Sequence, residues 1–350
     1  MTKQDWENNL DKFPEANFLQ SWAWGEFHLK LNHPVYRISF DQGMFQIIVE
    51  PAKRGRYLTV PGGPLLKDYF SSSQWKQAVS LMKEIALKEK CSFVRIRPQA
   101  GNSDALASVI KQNGFRPAPM HLHAQLTRIL DLSLSDDELL RQMRKSTRYE
   151  IKKAGKMGII VEKSQDESLI DDFIRLQTKT AKREGFVPFS RKFLSEQFKA
   201  FKNENAVKFF YVKRPGLPRE GQALSRILSM AIAIFCRKEA VYHYAASGDE
   251  ARKTPAAYAI QWAIIQEAKK LGMKTYNLWG DVEDDKLSAC WRTHRFAMYQ
   301  PAHRFAGPSL FKRGFGGGQF SYFPAHDLPL SWKYWINWGI ENIRKLSRSL

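Results

Sequence analysis

The order of strands and helices predicted for this chain occurs in two similar halves. The first half reads strand, strand, strand, helix, strand, helix, strand, and the second reads helix, helix, three strands, a long helix and a strand. Strands that alternate with helices form mixed sheets flanked by helices, so the two halves predict an internal duplication of an α/β (α+β) unit. A length of 350 residues also suits two domains rather than one core.

Hydrophobic periodicity and turn residues define these elements. In the first half they predict a hairpin at 37–49, a strand at 56–60, a helix at 73–90, a strand at 93–96, a helix at 105–113 and a strand at 123–130. In the second half they predict helices at 166–184 and 191–203, strands at 207–212, 227–236 and 239–246, a helix at 255–271 and a strand at 275–279.

Lysine and arginine outnumber the acidic residues by 55 to 35, which gives a formal net charge of +20. So large an excess predicts a polyanionic partner, which could be nucleic acid, anionic lipid head groups or a phosphorylated substrate. Hydrophobic residues make up 43% of the chain and charged residues 26%, which excludes a disordered protein.

Three widely separated cysteines, Cys91, Cys236 and Cys290, show no CxxC pattern. Neither a structural zinc site nor a disulfide framework is therefore expected, and a reducing cytoplasm fits. The N-terminal segment has no apolar core, and no run of about 18 apolar residues occurs, so we expect neither a signal peptide nor a membrane span.

The stretch Phe311–Gly318 combines four glycines with two cations, Lys312 and Arg313, and two phenylalanines. Glycines permit positive φ and close approach of a ligand, and the phenylalanines can bury on either side to hold the loop. This chemistry indicates a rigid, positively charged lip over an anionic or carbonyl-bearing substrate. A glycine-rich hairpin with solvated cations is the alternative, because short glycine motifs also arise by chance.

A predicted strand ends at Trp279-Gly280-Asp281, just before a long loop that leads to the glycine stretch. Such a position often marks the mouth of a site, which makes Asp281 a candidate acid/base or orienting carboxylate. A capped strand end is the alternative. The same loop holds His294 and His303, whose irregular spacing gives no metal signature, so no metal site is expected.

Between the two halves, residues 135–158 begin with a capping box, Ser135 with Glu138, and continue with many cations. At helical spacing, Arg141, Lys145, Arg148 and Lys152 share one face. A solvated helix that joins two domains and a basic ridge that contacts phosphates of RNA or lipid are both consistent with this pattern.

In the tail, 330–350, tryptophans and isoleucines recur at helical spacing with basic residues between them. Tryptophan and basic residues on one amphipathic helix are favoured at membrane interfaces. The simpler interpretation, which we favour here, is that this stripe covers a sheet of the first domain.

Residues 249–257 lie between a strand and a long helix, the junction that holds the coenzyme A pyrophosphate in acetyltransferase-like folds. The pattern here is Arg252-x-x-Pro255-x-Ala257. Because Pro255 has no N–H to donate, an amide cradle for coenzyme A is weakened.

Four stretches carry a resemblance to a known family. They are Phe18-Leu19-Gln20-Ser21-Trp22-x-Trp24-Gly25, Lys145-Ser146-Thr147-Arg148-Tyr149-x-Ile151-x-x-Ala154, the strand, loop and helix through Tyr242, Ala245, Ala246 and Ala256 to Trp262, and Phe311-Lys312-Arg313-Gly314-Phe315-Gly316-Gly317 followed by Asp327-Leu328-Pro329-Leu330. In this order they resemble the FemABX family, bacterial aminoacyl-tRNA-dependent transferases that build peptidoglycan cross-bridges.

The resemblance implies two tandem GNAT-like (acetyltransferase-like) domains. The first would cover 1–148, with the segment 318–350 returning to it, and the second would cover 149–317. It also implies an aminoacyltransferase that moves an amino acid from aminoacyl-tRNA to the stem-peptide amine of a UDP-linked or lipid-linked muropeptide precursor. No metal or other cofactor is implied, and the enzyme would be cytoplasmic, with possible peripheral contact at the inner face of the membrane through 330–350.

Site residues follow from the same resemblance. The Phe311 backbone and the Lys312 ammonium would lie at the reaction centre, where Lys312 would stabilise a developing oxyanion. Substrate-binding and phosphate-binding candidates are Lys30, Arg183, Arg191, Tyr244 and Arg313, and tRNA-contact candidates are Arg144, Lys145, Arg148 and Lys152.

Two departures from the family pattern concern the site. Arg97 precedes Pro98 where many relatives have an acidic residue, so a general base from that strand is not expected. The loop between Gly280 and Phe311 is longer than usual.

Two other functions remain open, an acyl-CoA-dependent GNAT N-acyltransferase and a non-catalytic paralogue that binds RNA or membrane. Coenzyme A binding would favour the first, and RNA or liposome binding without transfer would favour the second.

Overall fold

The computed structural model describes residues 1–52, 55–213, 227–282 and 306–347. The chain divides into two compact units, Met1–Leu126 with Phe320–Leu350, and Thr127–Gln319. The structure contains two seven-stranded sheets, each with parallel and antiparallel pairs and with helices packed on it. The predicted fold class, α/β with mixed sheets flanked by helices, is therefore confirmed.

Within the described residues, the first unit contains the N-terminal helices and strands together with a strand and a helix near the end of the chain. Its helices are α1 (Lys3–Leu10), α2 (Trp22–Lys30), α3 (Ser72–Lys88), α4 (Asp104–Gln112) and, at the end of the chain, the helix Lys333–Ser347. Its strands are β1 (Val35–Phe40), β2 (Gly43–Ala52), β3 (Gly55–Gly62), β4 (Leu65–Leu66), β5 (Cys91–Pro98), β6 (Arg116–Pro117) and a late strand, His326–Pro329.

This sheet has the order β1-β2-β3-β5, then the late strand, then β6, with β4 paired to β2. β3 and β5 are parallel because α3 crosses between them, and the other pairs are antiparallel. Residues His326–Pro329 pair with β5 on one side and β6 on the other, so the C-terminal segment enters the first sheet. Trp75 and Met82 of α3 pack on Ile47, Val60 and Val94 in the core.

The second unit begins with β7 (Leu126–Asp131) and is built mainly from the middle of the chain. Its helices are α5 (Asp136–Gln142), α6 (Lys145–Lys156), α7 (Leu169–Glu184), α8 (Arg191–Lys202), α9 (Ala256–Lys270) and α10 (Ala306–Arg313). Its further strands are β8 (Val161–Ser164), β9 (Val207–Lys213), β10 (Ile227–Cys236), β11 (Glu239–Ser247), β12 (Thr275–Asn277) and β13 (Gly318–Ser321). The late strand of the first sheet is β14, and the terminal helix is α11.

The second sheet has the order β13-β7-β12-β11-β10-β9-β8. Ile264 of α9 packs on Phe210, Ala231 and Tyr276 in its core. The sequence-based division at residue 148 falls inside α6, whereas the second unit begins near β7, because β7 pairs with β12 and thereby belongs to this sheet.

The basic segment between the halves is two helices rather than one. Met143 and Arg144 have extended backbones, with ψ of 151° and 148°, and they separate α5 from α6. Arg141 therefore does not continue the face formed by Lys145, Arg148 and Lys152. The prediction of one continuous basic face is therefore wrong at Arg141. The capping box correctly marks where α5 begins, but it does not indicate where α5 ends.

Helix α11 faces the first sheet with polar and tyrosine side chains. Tyr334 is buried against Phe93, with ring centroids 5.4 Å apart, and Glu341 accepts a hydrogen bond from Arg95 Nη2 at 2.7 Å. The apolar stripe points outwards instead, and we call it the tryptophan face: Trp332, Trp335, Ile336 and Ile343, exposed by 46–69%. The prediction that this stripe covers a sheet is wrong, because the helix docks through Tyr334 and the Arg95–Glu341 ion pair, which lie on its other face. No described helix has the length and apolar character required to cross a bilayer.

Candidate active site

The glycine stretch joins a helix to a strand. Phe311–Arg313 form the last turn of α10, Gly314 and Phe315 turn the chain, and Gly318 starts β13. Phe315 is fully buried and anchors the turn in the core of the second unit. Lys312 and Arg313 thus lie at the end of a helix and not on the predicted loop or hairpin. A helix fixes the direction of their side chains more firmly than a loop does.

Two of these glycines are required by crowding. Gly317 has φ of +73°, and a Cβ built there would lie 2.4 Å from the carbonyl oxygen of Ile129. Gly316 has φ of +82°, and its Cβ would lie 2.9 Å from the carbonyl oxygen of Gln142. Only glycine combines positive φ with such close backbone approach, so these residues let the turn pack on β7 and α5.

Lys312 points from α10 to the end of β12. Its Nζ donates hydrogen bonds to the carbonyl oxygens of Trp279 and of Gly280, the latter at 2.6 Å. Burial lowers the pKa of Lys312 to about 8, and the nearby Asp281 carboxylate opposes part of this shift. An ammonium has three donors, and the described carbonyls account for two of them.

The two carbonyls converge on Lys312 because the backbone after β12 is left-handed twice in succession. Trp279 has φ of +49° and Gly280 has φ of +64°. A left-handed tryptophan is uncommon, and its N–H donates to Asn277 Oδ1 at 2.9 Å, which helps to hold it there. Asn277 is buried, and Thr127 Oγ1 donates to the same oxygen at 2.5 Å. The ammonium therefore occupies a preformed backbone site.

Asp281 is an almost fully buried counter-ion. Its carboxylate lies 3.4 Å from Arg313 Nε and 3.9 Å from Arg128 Nε, and its side chain is 1% exposed. Gln319 Nε2 donates to Asp281 Oδ2 at 3.3 Å. The sequence left two roles open for Asp281, an acid/base and an orienting carboxylate. Both carboxylate oxygens are engaged by these contacts, which supports the orienting role.

Arg313 and Arg128 tie this carboxylate to the rest of the site. Arg313 Nη2 donates to the carbonyl oxygen of Val282, and Arg128 Nη1 donates to that of Gly317 at 2.6 Å. Arg313 was a substrate-binding candidate, but its guanidinium is engaged within the protein. Arg128 was missed by the sequence analysis, because only the pairing of β7 with β12 and β13 brings it to the glycine turn.

Phe311 belongs to an aromatic cluster on the other side of α10. Its ring centroid lies 5.0 Å from that of Tyr258 and 5.2 Å from that of Phe315, both edge to face. Its carbonyl oxygen accepts a hydrogen bond from Gly314 N at 3.0 Å. Phe311 thus holds α10 against α9 and fixes the direction of the adjacent Lys312.

The other predicted substrate-binding residues of the second unit lie on α7, α8 and β11, with Arg183 at the end of α7 and Arg191 paired to its start. Arg183 Nη1 donates to Asp249 Oδ1 at 3.0 Å and to the Ser247 carbonyl oxygen at 3.4 Å. Tyr244 packs on Phe189, with ring centroids 4.9 Å apart. Burial raises the pKa of Tyr244. Arg191 forms an exposed two-point ion pair with Asp171, at 2.7 and 3.0 Å.

The four tRNA-contact candidates divide into exposed and structural residues. Lys145 and Lys152 are exposed on α6. Arg148 Nη1 instead donates to the carbonyl oxygens of Met143, Arg141 and Leu140 at 2.5, 3.3 and 3.4 Å, which caps α5. Arg144 Nη1 donates to the Leu310 carbonyl oxygen at 3.3 Å, and its N–H donates to that of Gly314 at 2.9 Å.

Lys30 and Arg97 belong to the first unit. Lys30 is exposed at the last position of α2. Arg97 is buried, and its guanidinium lies 4.8 Å from the centroid of the Tyr322 ring. Most of the long loop before α10 lies outside the described residues, and so do His294 and His303.

Comparison with known proteins identifies the class. A FemAB family model matches residues 1–113, 114–219 and 217–317. The lipid II:glycine glycyltransferase of Staphylococcus aureus is 22% identical, over 82% of this chain and 86% of that protein. Because the family model spans most of the chain, the class is that of FemAB proteins, and the named relative is a transferase.

Solved structures agree on the fold. FemX matches with a TM-score of 0.79 at 19% identity, over 97% of this chain and 98% of that one. L-PGS from Bacillus licheniformis matches with a TM-score of 0.55 at 12% identity, over 97% and 96%. The chain belongs to the FemAB family, which confirms the resemblance drawn from the four sequence stretches.

Proposed function

We propose that this protein transfers an aminoacyl group from aminoacyl-tRNA to the stem-peptide amine of a peptidoglycan precursor. The observation that carries the proposal is the Lys312 ammonium, held by the Trp279 and Gly280 carbonyl oxygens in a chain of the FemAB family. The name of the S. aureus relative gives lipid II as its acceptor and glycine as the group transferred, which supports a lipid-linked acceptor here.

The reaction needs positioning and charge stabilisation more than a strong base, because an aminoacyl ester is already activated. The acceptor amine attacks the ester carbonyl, a C–N bond forms, and the carbonyl oxygen becomes an oxyanion. The third Lys312 donor stabilises that oxyanion. The C–O bond to the tRNA ribose then breaks, and the proton lost by the amine ends on the departing ribose oxygen.

The residues around Lys312 act as positioning residues. Asp281, Arg128 and Arg313 fix the strand end that supplies the two carbonyl oxygens, while Phe311 fixes the helix that carries the ammonium. A fixed charge costs little reorganisation as the oxyanion forms, and this is the main source of its catalytic value.

Polyanion binding is assigned to cations away from Lys312. Lys145 and Lys152 are exposed on α6 and are suited to tRNA phosphates. Arg183 and Arg191 are the candidates for the precursor diphosphate, because Arg is well shaped for forked phosphate contacts. Both arginines pair with exposed carboxylates, Asp249 and Asp171, which a phosphate could displace.

The tryptophan face supports a proposed peripheral contact with the membrane. Three large apolar side chains on α11, with Trp332 just before it, form an exposed surface of the kind favoured at the boundary between head groups and acyl chains. Lys333, Arg344 and Lys345 on the same helix favour anionic lipid. The protein would then encounter a lipid-linked acceptor at the membrane surface.

The test is a transfer assay that combines the purified protein with charged tRNAs and either a lipid-linked or a UDP-linked precursor, and detects the added residue by mass. We expect transfer by the wild type and loss of at least ~100-fold in Lys312→Ala, as for other oxyanion donors. Lys83→Ala, an exposed lysine of α3, is the control and should keep full activity. No transfer with any charged tRNA would overturn the proposal.

A further inference from the structure

The end of helix α2 places two histidines next to each other. Asn32 has φ of +63°, and His33 N donates to the His28 carbonyl oxygen at 3.0 Å, the six-to-one bond of a Schellman cap. This cap brings together the side chains at its first and last positions, which are residues 28 and 33. Apolar residues usually occupy these two positions. Here both are imidazoles, with the two Nδ1 atoms 3.4 Å apart.

A carboxylate from the neighbouring strand completes the group. Glu50 of β2 lies with Oε2 3.1 Å from His33 Nδ1 and with Oε1 4.0 Å from His28 Nδ1. One ligand atom from each of the three residues lies within 4.8 Å of the others. His33 lies just before β1, and Glu50 lies on β2, which pairs with β1. The backbone therefore holds all three residues in place before any ligand binds.

Hydrogen bonding alone leaves this group unsatisfied. His33 Nδ1 has at most one proton, which it can give to Glu50 or to His28 but not fully to both. If His28 Nδ1 carried a proton as well, two N–H groups would face each other. In the alternative tautomer His28 carries its proton on Nε2, which is buried and makes no hydrogen bond within the described residues.

We propose that His28, His33 and Glu50 form a binding site for a divalent ion of the zinc type. Ligands about 2.0–2.1 Å from a tetrahedral zinc ion lie roughly 3.3–3.4 Å apart, close to the spacing of the two Nδ1 atoms. Two imidazoles with one carboxylate favour zinc or a similar transition ion over magnesium or calcium, which prefer oxygen ligands.

The burial of the three residues defines the open side. The His28 side chain is 9% exposed, while those of His33 and Glu50 are 19% and 21% exposed. A solvent molecule can therefore fill the fourth position, and the ion can enter past His33. Bound there, the ion joins the end of α2 to β2 and stabilises the first unit. This site is independent of the proposed transfer reaction.

The experiment uses the full chain, stripped of metal, with Zn²⁺ or Co²⁺ alone as the probe. We expect a single Zn²⁺ equivalent by equilibrium dialysis and, with Co²⁺, the visible absorption of tetrahedral coordination. Mg²⁺ in large excess should not compete. Zn²⁺ should also raise the melting temperature, because a ligand that binds only the folded state stabilises it.

Variants separate this site from other zinc ligands such as the cysteines. His33→Gln and Glu50→Gln should weaken binding by more than the ~10–100-fold that loss of an outer-shell partner causes, and should abolish the thermal shift. His121→Gln changes an exposed histidine of the same unit and should leave both readouts unchanged. Zinc binding that is absent in the wild type, or equal in all variants, would overturn the proposal.

Discussion

The Nζ atom of Lys312 lies 2.6 Å from the carbonyl oxygen of Gly280, a residue whose φ is +64°. This contact joins the end of α10 to the end of β12 across 32 residues of chain. It holds a cation where burial lowers its pKa to about 8, close enough to neutrality for pH to change its charge. The first prediction follows from that shift.

The rate of transfer should fall as pH rises through about 8, because Lys312 then loses the charge that stabilises the oxyanion. Lys312→Arg stays charged at high pH, so any activity it retains should lack this fall. Single-turnover rates at saturating substrates, corrected for spontaneous ester hydrolysis, measure the effect. Identical pH profiles above 8 for wild type and Lys312→Arg would exclude the role assigned to the ammonium.

The same shift has a consequence for stability. The folded-state pKa lies below the ordinary lysine value of 10.5, so the unfolded chain binds more protons between about pH 8 and 10.5. The contribution of Lys312 to the free energy of unfolding therefore rises with pH in that window. Urea unfolding at several pH values, compared with Lys312→Met, isolates this contribution.

Gly317→Ala should lower the free energy of unfolding by at least ~2 kcal/mol, because its Cβ would meet the Ile129 carbonyl oxygen at a left-handed φ. Gly318→Ala is the matched control, since its φ is not left-handed and its Cβ would meet nothing within 4 Å. The control should change stability by no more than about 0.5 kcal/mol. Equal effects at the two adjacent glycines in urea unfolding would contradict the crowding argument.

Asp281→Asn should destabilise the protein by about 2–3 kcal/mol, because it removes a buried negative charge that faces two partly buried guanidinium groups. Asp171→Asn removes an exposed ion pair with Arg191 and should change stability by less than about 1 kcal/mol. Thermal and urea unfolding measure both variants. Loss of transfer by Asp281→Asn at unchanged stability would instead assign Asp281 a proton-transfer role.

Lys145→Ala and Lys152→Ala should each weaken tRNA binding without lowering stability, because both lysines are exposed. Each should reduce the slope of log K against log salt by about one. Arg148→Ala should instead destabilise by about 1 kcal/mol, since its guanidinium caps α5. Filter binding over a salt series separates the two classes, and unchanged slopes would move tRNA binding to another surface.

Replacing Trp332 and Trp335 together by Ser should reduce binding to phosphatidylglycerol-containing vesicles by about tenfold or more, since both side chains are exposed on the tryptophan face. Leu87→Ser, an 83% exposed apolar residue of α3, is the control. Cosedimentation with anionic and neutral vesicles provides the measurement. Equal binding by both variants would show that this face does not contact lipid.

The sequence by itself determined the features that depend on neighbours along the chain. Helical and strand periodicity gave the mixed α/β class, the capping box at Ser135 and Glu138 gave the start of α5, and the glycines at 316 and 317 marked a backbone needing positive φ. Four ordered stretches were enough to indicate the family. These signals are local, since each depends on side chains within a few residues of one another.

The tertiary structure decided which distant groups meet. Arg128 reaches Asp281 and Gly317 only because β7 pairs beside β12, and Glu50 reaches His33 only because β2 folds back on β1. The direction of the tail was decided in the same way, since Tyr334 on Phe93 and Glu341 on Arg95 dock the opposite face of the helix. Amphipathic spacing identifies a stripe on a helix, but the partner that docks the helix determines whether that stripe is buried.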